Sequence, residues 1–152
     1  MFVKYDIDFQ DGKEGWISIR LIYSGCNRAR NGNPCPGCHN EWLWDYNVGA
    51  CRRQFAEWLE RIARTGWKPS GIIVTGGEPL DQDPEEIKMD VELVRKIFKA
   101  KIPLFVYTGY DWEEAVGHPL LHFADYLKVG SYQQDLPPGE LASSNQKVKK
   151  LS

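Results

Sequence analysis

The chain has 152 residues, 42% of them hydrophobic and 12% aromatic, with a formal net charge of −2 and a pI near 5.9. That length suits one domain over residues 1–152 with a sizeable core, and the near-neutral charge, without a basic stripe, speaks against nucleic-acid binding. No apolar run reaches the ~18 residues of a membrane span, and the charged, alternating start "MFVKYDIDF" is unlike a signal peptide, so a cytoplasmic protein with no membrane partner is expected.

Taken in chain order, "FVKYDIDF" (2–9) alternates as a strand does, and "GWISIRLIYSG" (15–25) is a second strand with Trp16, Ser18, Arg20 and Ile22 on one side. A polar, cysteine-rich loop follows. "CRRQFAEWLERIARTG" (51–66) then repeats apolar residues at 51, 55, 58, 59 and 62, one face of a helix closed by Gly66. "GIIVTGGEP" (71–79) is a buried strand running into paired glycines. "DPEEIKMDVELVRKIFKA" (83–100) opens with Asp83 as N-cap and Pro84 behind it, and Ile87, Val91, Val94 and Phe98 form its apolar stripe. "IPLFVYTGY" (102–110) is another buried strand, "DWEEAV" (111–116) a short helix and "ADYLKVGSY" (124–132) a further strand. From about residue 133, "DLPPGELASSNQ" reads as a C-terminal tail.

Apolar strands alternating with helices predict an α/β fold with a parallel sheet. In such sheets ligands bind at the carboxyl ends of the strands. The cysteine loop, "TGGEP" and "YTGY" all fall there.

Three of the four cysteines lie in "CNRARNGNPCPGC" (26–38). In a reducing compartment such a cluster points to metal or redox chemistry, and a disulfide between Cys35 and Cys38 is too local to restrain much chain. A cubane iron–sulfur cluster held by Cys26, Cys35 and Cys38 leaves one iron open, whereas a purely electron-carrying cluster usually has four cysteines. Zinc is the rival: Cys51 or His39 could complete a four-ligand site. Cys51 is in register with Phe55 and Trp58, so it is expected to be a buried core thiol. "TGGEPLD" admits two readings, an ordinary turn with a solvated Glu78, or backbone approaching a ligand with a carboxylate ready for an ammonium group. His118 and His122 are read as structural or exposed.

The ordered set of a cysteine loop after the first strands and a strand ending "GGEP" resembles the radical S-adenosylmethionine superfamily. "PCPGCHNEWLW" resembles the cluster loop of glycyl-radical activating enzymes. "FVYTGY", "ADYLKVGSYQQDL" and "SSNQ" resemble the family that activates anaerobic ribonucleoside-triphosphate reductase, and the likeness runs from about residue 11 to 146. Two departures stand out. Eight residues separate Cys26 from Cys35, where the family usually has three; by loop-closure scaling the longer spacer costs under ~1 kcal/mol. Val129 and Ser131 stand where the family tends to carry charged residues.

The resemblance implies an incomplete parallel (β/α) barrel, open on one side for a protein loop. It implies a radical S-adenosylmethionine oxidoreductase whose [4Fe-4S] cluster is held by Cys26, Cys35 and Cys38. The reduced cluster cleaves S-adenosyl-L-methionine, and the resulting 5′-deoxyadenosyl radical takes a hydrogen atom from a glycine on the large subunit of anaerobic ribonucleoside-triphosphate reductase. An electron donor such as flavodoxin or ferredoxin is implied as well. Gly76, Gly77 and Glu78 then border the methionine end, Gly37, Cys38 and His39 lie beside the cofactor, and Thr108 is grouped with them. No separate catalytic acid or base is required. The spacer "NRARNGN" is expected to project as a solvated excursion carrying Arg28 and Arg30. The rival functions are a small-molecule radical enzyme of the 7-carboxy-7-deazaguanine synthase kind and a non-catalytic zinc-binding interaction module.

Overall fold

The computed structural model describes residues 2–38, 40–45, 51–139, 141 and 143–151. Six strands form one sheet in chain order: β1 (Phe2–Asp8), β2 (Ser18–Tyr23), β3 (Gly71–Gly76), β4 (Leu104–Tyr107), β5 (Tyr126–Val129) and β6 (Lys147–Lys150). The parallel pairing expected from the sequence holds from β2 to β5, whereas β1 and β6 are antiparallel edges. The sheet is open and does not close on itself. The predicted tail therefore ends by returning to the sheet as β6.

Alternation along the strands sorts the two faces. Ile19, Leu21, Tyr23, Ile72, Val74, Leu104, Val106, Leu127 and Val129 face a core shared with the helices. Arg20, Ile22, Thr75, Tyr107 and Lys128 take the opposite parity and line a cavity on the other face. One face is thus apolar and helix-covered, the other carries the chemistry.

The helices are α1 (Asn27–Arg30), α2 (Arg52–Ala63), α3 (Pro84–Phe98) and α4 (Trp112–Ala115). The carboxylate of Asp83 accepts the Glu85 N–H at 3.0 Å, Pro84 follows at the first turn, and Ile87, Val91, Val94 and Phe98 are all buried, as their spacing predicts. Helix α2 buries Phe55 and Leu59, with Trp58 and Ile62 packed against the core. Cys51 corrects the sequence reading. It is exposed and occupies the N-cap of α2, because the helix starts at Arg52, one residue after the apolar register begins. Arg52 instead ties this end of α2 to α3, reaching Asp90 at 2.9 Å and Glu86 at 2.6 Å, while the Tyr23 hydroxyl donates to Asp90 at 2.6 Å. That network fixes the helices beneath the carboxyl end of β2. Among the described residues, no helix is long and apolar enough to cross a membrane.

His118 caps a 3-10 turn, Pro119–His122, by accepting the Leu120 N–H at 3.1 Å, and His122 is exposed. Both fit the structural reading.

Candidate iron–sulfur site

The glycine pair after β3 is required by a close approach of backbones. Gly76 has φ of +127°, and a Cβ there would strike the Tyr23 carbonyl. A Cβ on Gly77 would stand 2.5 Å from the Gly25 carbonyl oxygen and 2.6 Å from that of Leu43. Without side chains the turn docks onto the root of the cysteine loop. Gly77 N–H donates to Tyr23 O and Glu78 N–H to Gly25 O, both at 2.8 Å. Gly25 N–H in turn donates to Leu43 O at 2.7 Å, Cys26 N–H to Trp44 O at 3.0 Å, and the buried Gln82 amide to Ser24 O at 2.9 Å. The turn "TGGEP" therefore sets where Cys26 begins its loop.

Glu78 is buried and does not line the cavity. Its carboxylate accepts from Leu80 N–H at 3.0 Å, the Thr108 hydroxyl at 2.8 Å and Gly109 N–H at 2.6 Å. Burial pushes its pKa up to about 7, against the pull of those three donors. The side chain read from sequence as a ligand for an ammonium group thus joins the ends of β3 and β4. Thr108 does line the cavity, and its hydroxyl is given to Glu78.

The spacer between Cys26 and Cys35 is half what the sequence suggested. Arg30 to Asn33 are exposed, but the chain first winds into α1. The Asp81 carboxylate holds this turn by accepting Asn27 N–H at 2.7 Å, and it also accepts the Tyr110 hydroxyl at 2.7 Å. Arg28 is not a solvated side chain: it is half-buried and donates to the Gly109 carbonyl at 2.9 Å.

The cysteines surround the end of β4. Cys26 lies near Glu78, Asp81 and Tyr110; burial and the two carboxylates push its thiol up. The Cys35 thiol lies 3.5 Å from where a Cβ on Gly109 would sit, and it accepts the Tyr132 backbone N–H. Burial raises this thiol, and Arg28 opposes the rise. Cys35 and Cys38 line a cavity of about 670 Å³ together with Gly76, Gly77, Thr108 and Gly109. Cys26 is not part of that lining. Gly37, at φ of +69°, packs against the Gln134 side chain. His39 lies outside the described residues.

Among the described residues, no three His, Cys, Asp or Glu side chains gather closely enough to hold one metal ion. A tetrahedral zinc with Zn–S bonds of ~2.3 Å brings its thiolates to about 3.8 Å from one another. A cubane binds each thiolate through a separate iron, so its ligands stand farther apart. Cysteine thiols are the ligand type that such a cluster takes, and Cys35 and Cys38 bring them to the cavity wall.

Lys128 is the residue the sequence reading passed over. It is buried, lines the cavity beside Cys35, and donates to the Gly130 carbonyl at 3.0 Å. Burial holds its pKa below the usual lysine value, with Glu78 and Cys35 pulling the other way. The signal was present: a lysine between Leu127 and Val129 on a buried strand must face opposite to them. Val129 itself is core. The "SSNQ" segment fastens the C-terminal stretch over the β5 end, with Asn145 donating to Ser131 O at 2.7 Å and Gln146 lining the cavity.

Fold and site together define an open-sheet α/β protein with cysteine thiols at the carboxyl ends of its strands. A family model described as "4Fe-4S single cluster domain" matches residues 13–149. The chain is 31% identical to the anaerobic ribonucleoside-triphosphate reductase-activating protein of Escherichia coli strain K12, with 97% of this chain and 96% of the relative covered. It is 28% identical to the protein of that name from Enterobacteria phage T4, over 95% and 89% of the two chains, and 30% identical to that of Pasteurella multocida, over 86% and 82%. The chain belongs to the 4Fe-4S single cluster domain family, alongside the anaerobic ribonucleoside-triphosphate reductase-activating proteins.

Proposed function

We propose that this chain is a radical S-adenosylmethionine oxidoreductase that activates an anaerobic ribonucleoside-triphosphate reductase by forming a glycyl radical on its large subunit. The observation that carries this reading is the convergence of Cys35, Cys38, Gly76, Gly77 and Thr108 on one cavity in a chain related over its length to named activating proteins. Cys26, Cys35 and Cys38 would hold the [4Fe-4S] cluster. When bound, the cluster supplies the single electron that cleaves S-adenosylmethionine, so that a hydrogen atom is taken from the partner's glycine.

The chain's own groups do the positioning. Gly76 and Gly77 form part of the cavity wall together with Cys38, where the methionine end would lie. Glu78 holds Thr108 and Gly109 in place rather than meeting the ammonium group itself. The Lys128 ammonium and the Asn40 amide, both on the cavity wall, offer donors to the methionine carboxylate. The cavity's size lies within the ~300–1,000 Å³ of typical small-ligand sites. The open sheet would serve as the incomplete barrel of this class, and the exposed Trp42 lines the cavity where a partner's loop would enter. A flavodoxin- or ferredoxin-type donor would supply the electron.

The test is anaerobic incubation of the reconstituted chain with S-adenosylmethionine, a reductant and a candidate reductase large subunit, read by electron paramagnetic resonance. A glycyl doublet on the reductase, dependent on S-adenosylmethionine, is expected. Cleavage of S-adenosylmethionine that turns over a small molecule, with no protein radical, would move the chain to the small-molecule enzymes.

A further inference from the structure

We infer that Arg28, supplied by the lengthened spacer, is an electrostatic partner of the cluster and raises its reduction potential. The inference rests on the cluster assignment proposed above, and it concerns a residue that assignment does not use.

The spacer is a folded device, as its hydrogen bonds make plain. Asp81, fixed by the 3-10 turn after Glu78, anchors the start of α1 through Asn27 N–H at 2.7 Å. The chain then turns back on itself, with Asn33 N–H donating to Arg28 O at 2.8 Å and Gly32 N–H to Ala29 O at 3.1 Å. This reversal returns the chain to Cys35. Arg28 is half-buried while Arg30 to Asn33 are exposed, so one of the two spacer arginines is folded inward. Its guanidinium is held by the Gly109 carbonyl at 2.9 Å. The Arg28 Nη1 and the Cys35 Sγ lie 4.0 and 3.5 Å from one point above Gly109, and so no more than 7.5 Å from each other.

The consequence follows from charge. A [4Fe-4S]²⁺ core with three thiolates carries −1, and taking up one electron from a donor makes it −2. A fixed cation alongside stabilises the more negative state more, so reduction becomes easier; net charge and local hydrogen bonding are among the main determinants of such potentials. An arginine stays protonated throughout, which makes the effect independent of pH in the working range.

The experiment is a redox titration of the reconstituted chain, followed by the electron paramagnetic resonance signal of the reduced cluster. Arg28→Gln is expected to shift the midpoint to lower potential at unchanged iron content, with Arg28→Lys restoring most of the shift. Arg30→Gln, on the exposed side of the same helix, is expected to leave it unchanged. An Arg28→Gln midpoint equal to wild type, or one shifted equally in Arg30→Gln, overturns the inference. So does failure of both Arg28→Gln and Arg28→Ala to take up a cluster, which would make Arg28 an assembly residue. A wild-type chain that takes up no cluster sinks the functional proposal itself, whereas a wild-type cluster indifferent to Arg28 sinks this inference alone.

Discussion

Only eight residues lie between Cys26 and the Cys35–Cys38 pair in sequence, yet they rest on different supports. The Cys26 end is tied to the sheet by backbone: Gly25 and Cys26 bond to Leu43 and Trp44, and Glu78 N–H bonds back to Gly25. The Cys35–Cys38 end makes its own tight turn, Cys38 N–H to Cys35 O at 3.1 Å, with Asn40 N–H donating to the Cys38 thiol at 3.4 Å, and it leans on the C-terminal stretch through Tyr132 and Gln134. One end is set by strand termini that the core holds rigid, the other by a late segment laid over it. A site assembled in this way should fail abruptly when the first support is disturbed and gradually when the second is.

The largest effect is therefore expected from Gly77→Val. Its Cβ meets two backbone carbonyls that cannot yield, so the "GGE" turn and the Cys26 end must separate. A loss of about 3 kcal/mol or more in chemical denaturation, together with loss of iron uptake, is expected. Iron content and stability near wild type would mean that the turn is not the support of Cys26.

Glu78 sharpens the same side through pH. Its folded pKa of about 7 stands above the 4.5 of the free side chain, so between those values the folded chain keeps a proton that the unfolded chain has released. Stability from this group is accordingly greatest below about 4.5 and is lost as pH rises towards 7. A shift of this size corresponds to about 3 kcal/mol. Denaturation of the cluster-free protein at a series of pH values should show wild type losing up to that amount relative to Glu78→Gln between pH 5 and 8. Parallel curves for the two proteins would refute the buried, shifted carboxylate.

The second support should give smaller losses. Gly37→Ala adds a side chain at positive φ against Gln134 and is expected to cost about 1–2 kcal/mol while sparing part of the iron uptake. Adding Gln134→Ala should recover the contact portion and leave the backbone strain. A double variant no better than the single would remove the C-terminal stretch from the account.

Much of this was legible in the sequence, and the exceptions have physical causes. Helix α3 could be read almost to the residue, because an N-cap Asp, a following Pro and a full apolar stripe agree. The glycine pair was visible but its reason was not: sequence reports a need for bare backbone, and cannot say whether a ligand or the Tyr23 and Gly25 backbones come close. Cys51 was drawn into a helical face since periodicity has no start signal of its own, and here the helix begins one residue later. Arg28 read as solvent-facing because its anchors, Gly109 and the Asp81 that holds α1, lie more than fifty residues away in the chain. Strand β6, "KVKK", is an edge whose side chains are largely exposed, so no apolar pattern announced it.

The central claim is that Cys26, Cys35 and Cys38, and no other thiol, hold a cluster that cleaves S-adenosylmethionine. It is tested most directly by anaerobic reconstitution of the four single Cys→Ala variants, with iron, sulfide and 5′-deoxyadenosine measured on each. Cys26→Ala, Cys35→Ala and Cys38→Ala should lose the cluster and the product, whereas Cys51→Ala, altered at an exposed N-cap, should match wild type in both and lose less than ~0.5 kcal/mol of stability. A Cys51→Ala protein as empty as Cys35→Ala, or a colourless wild-type protein that retains zinc, would contradict the account.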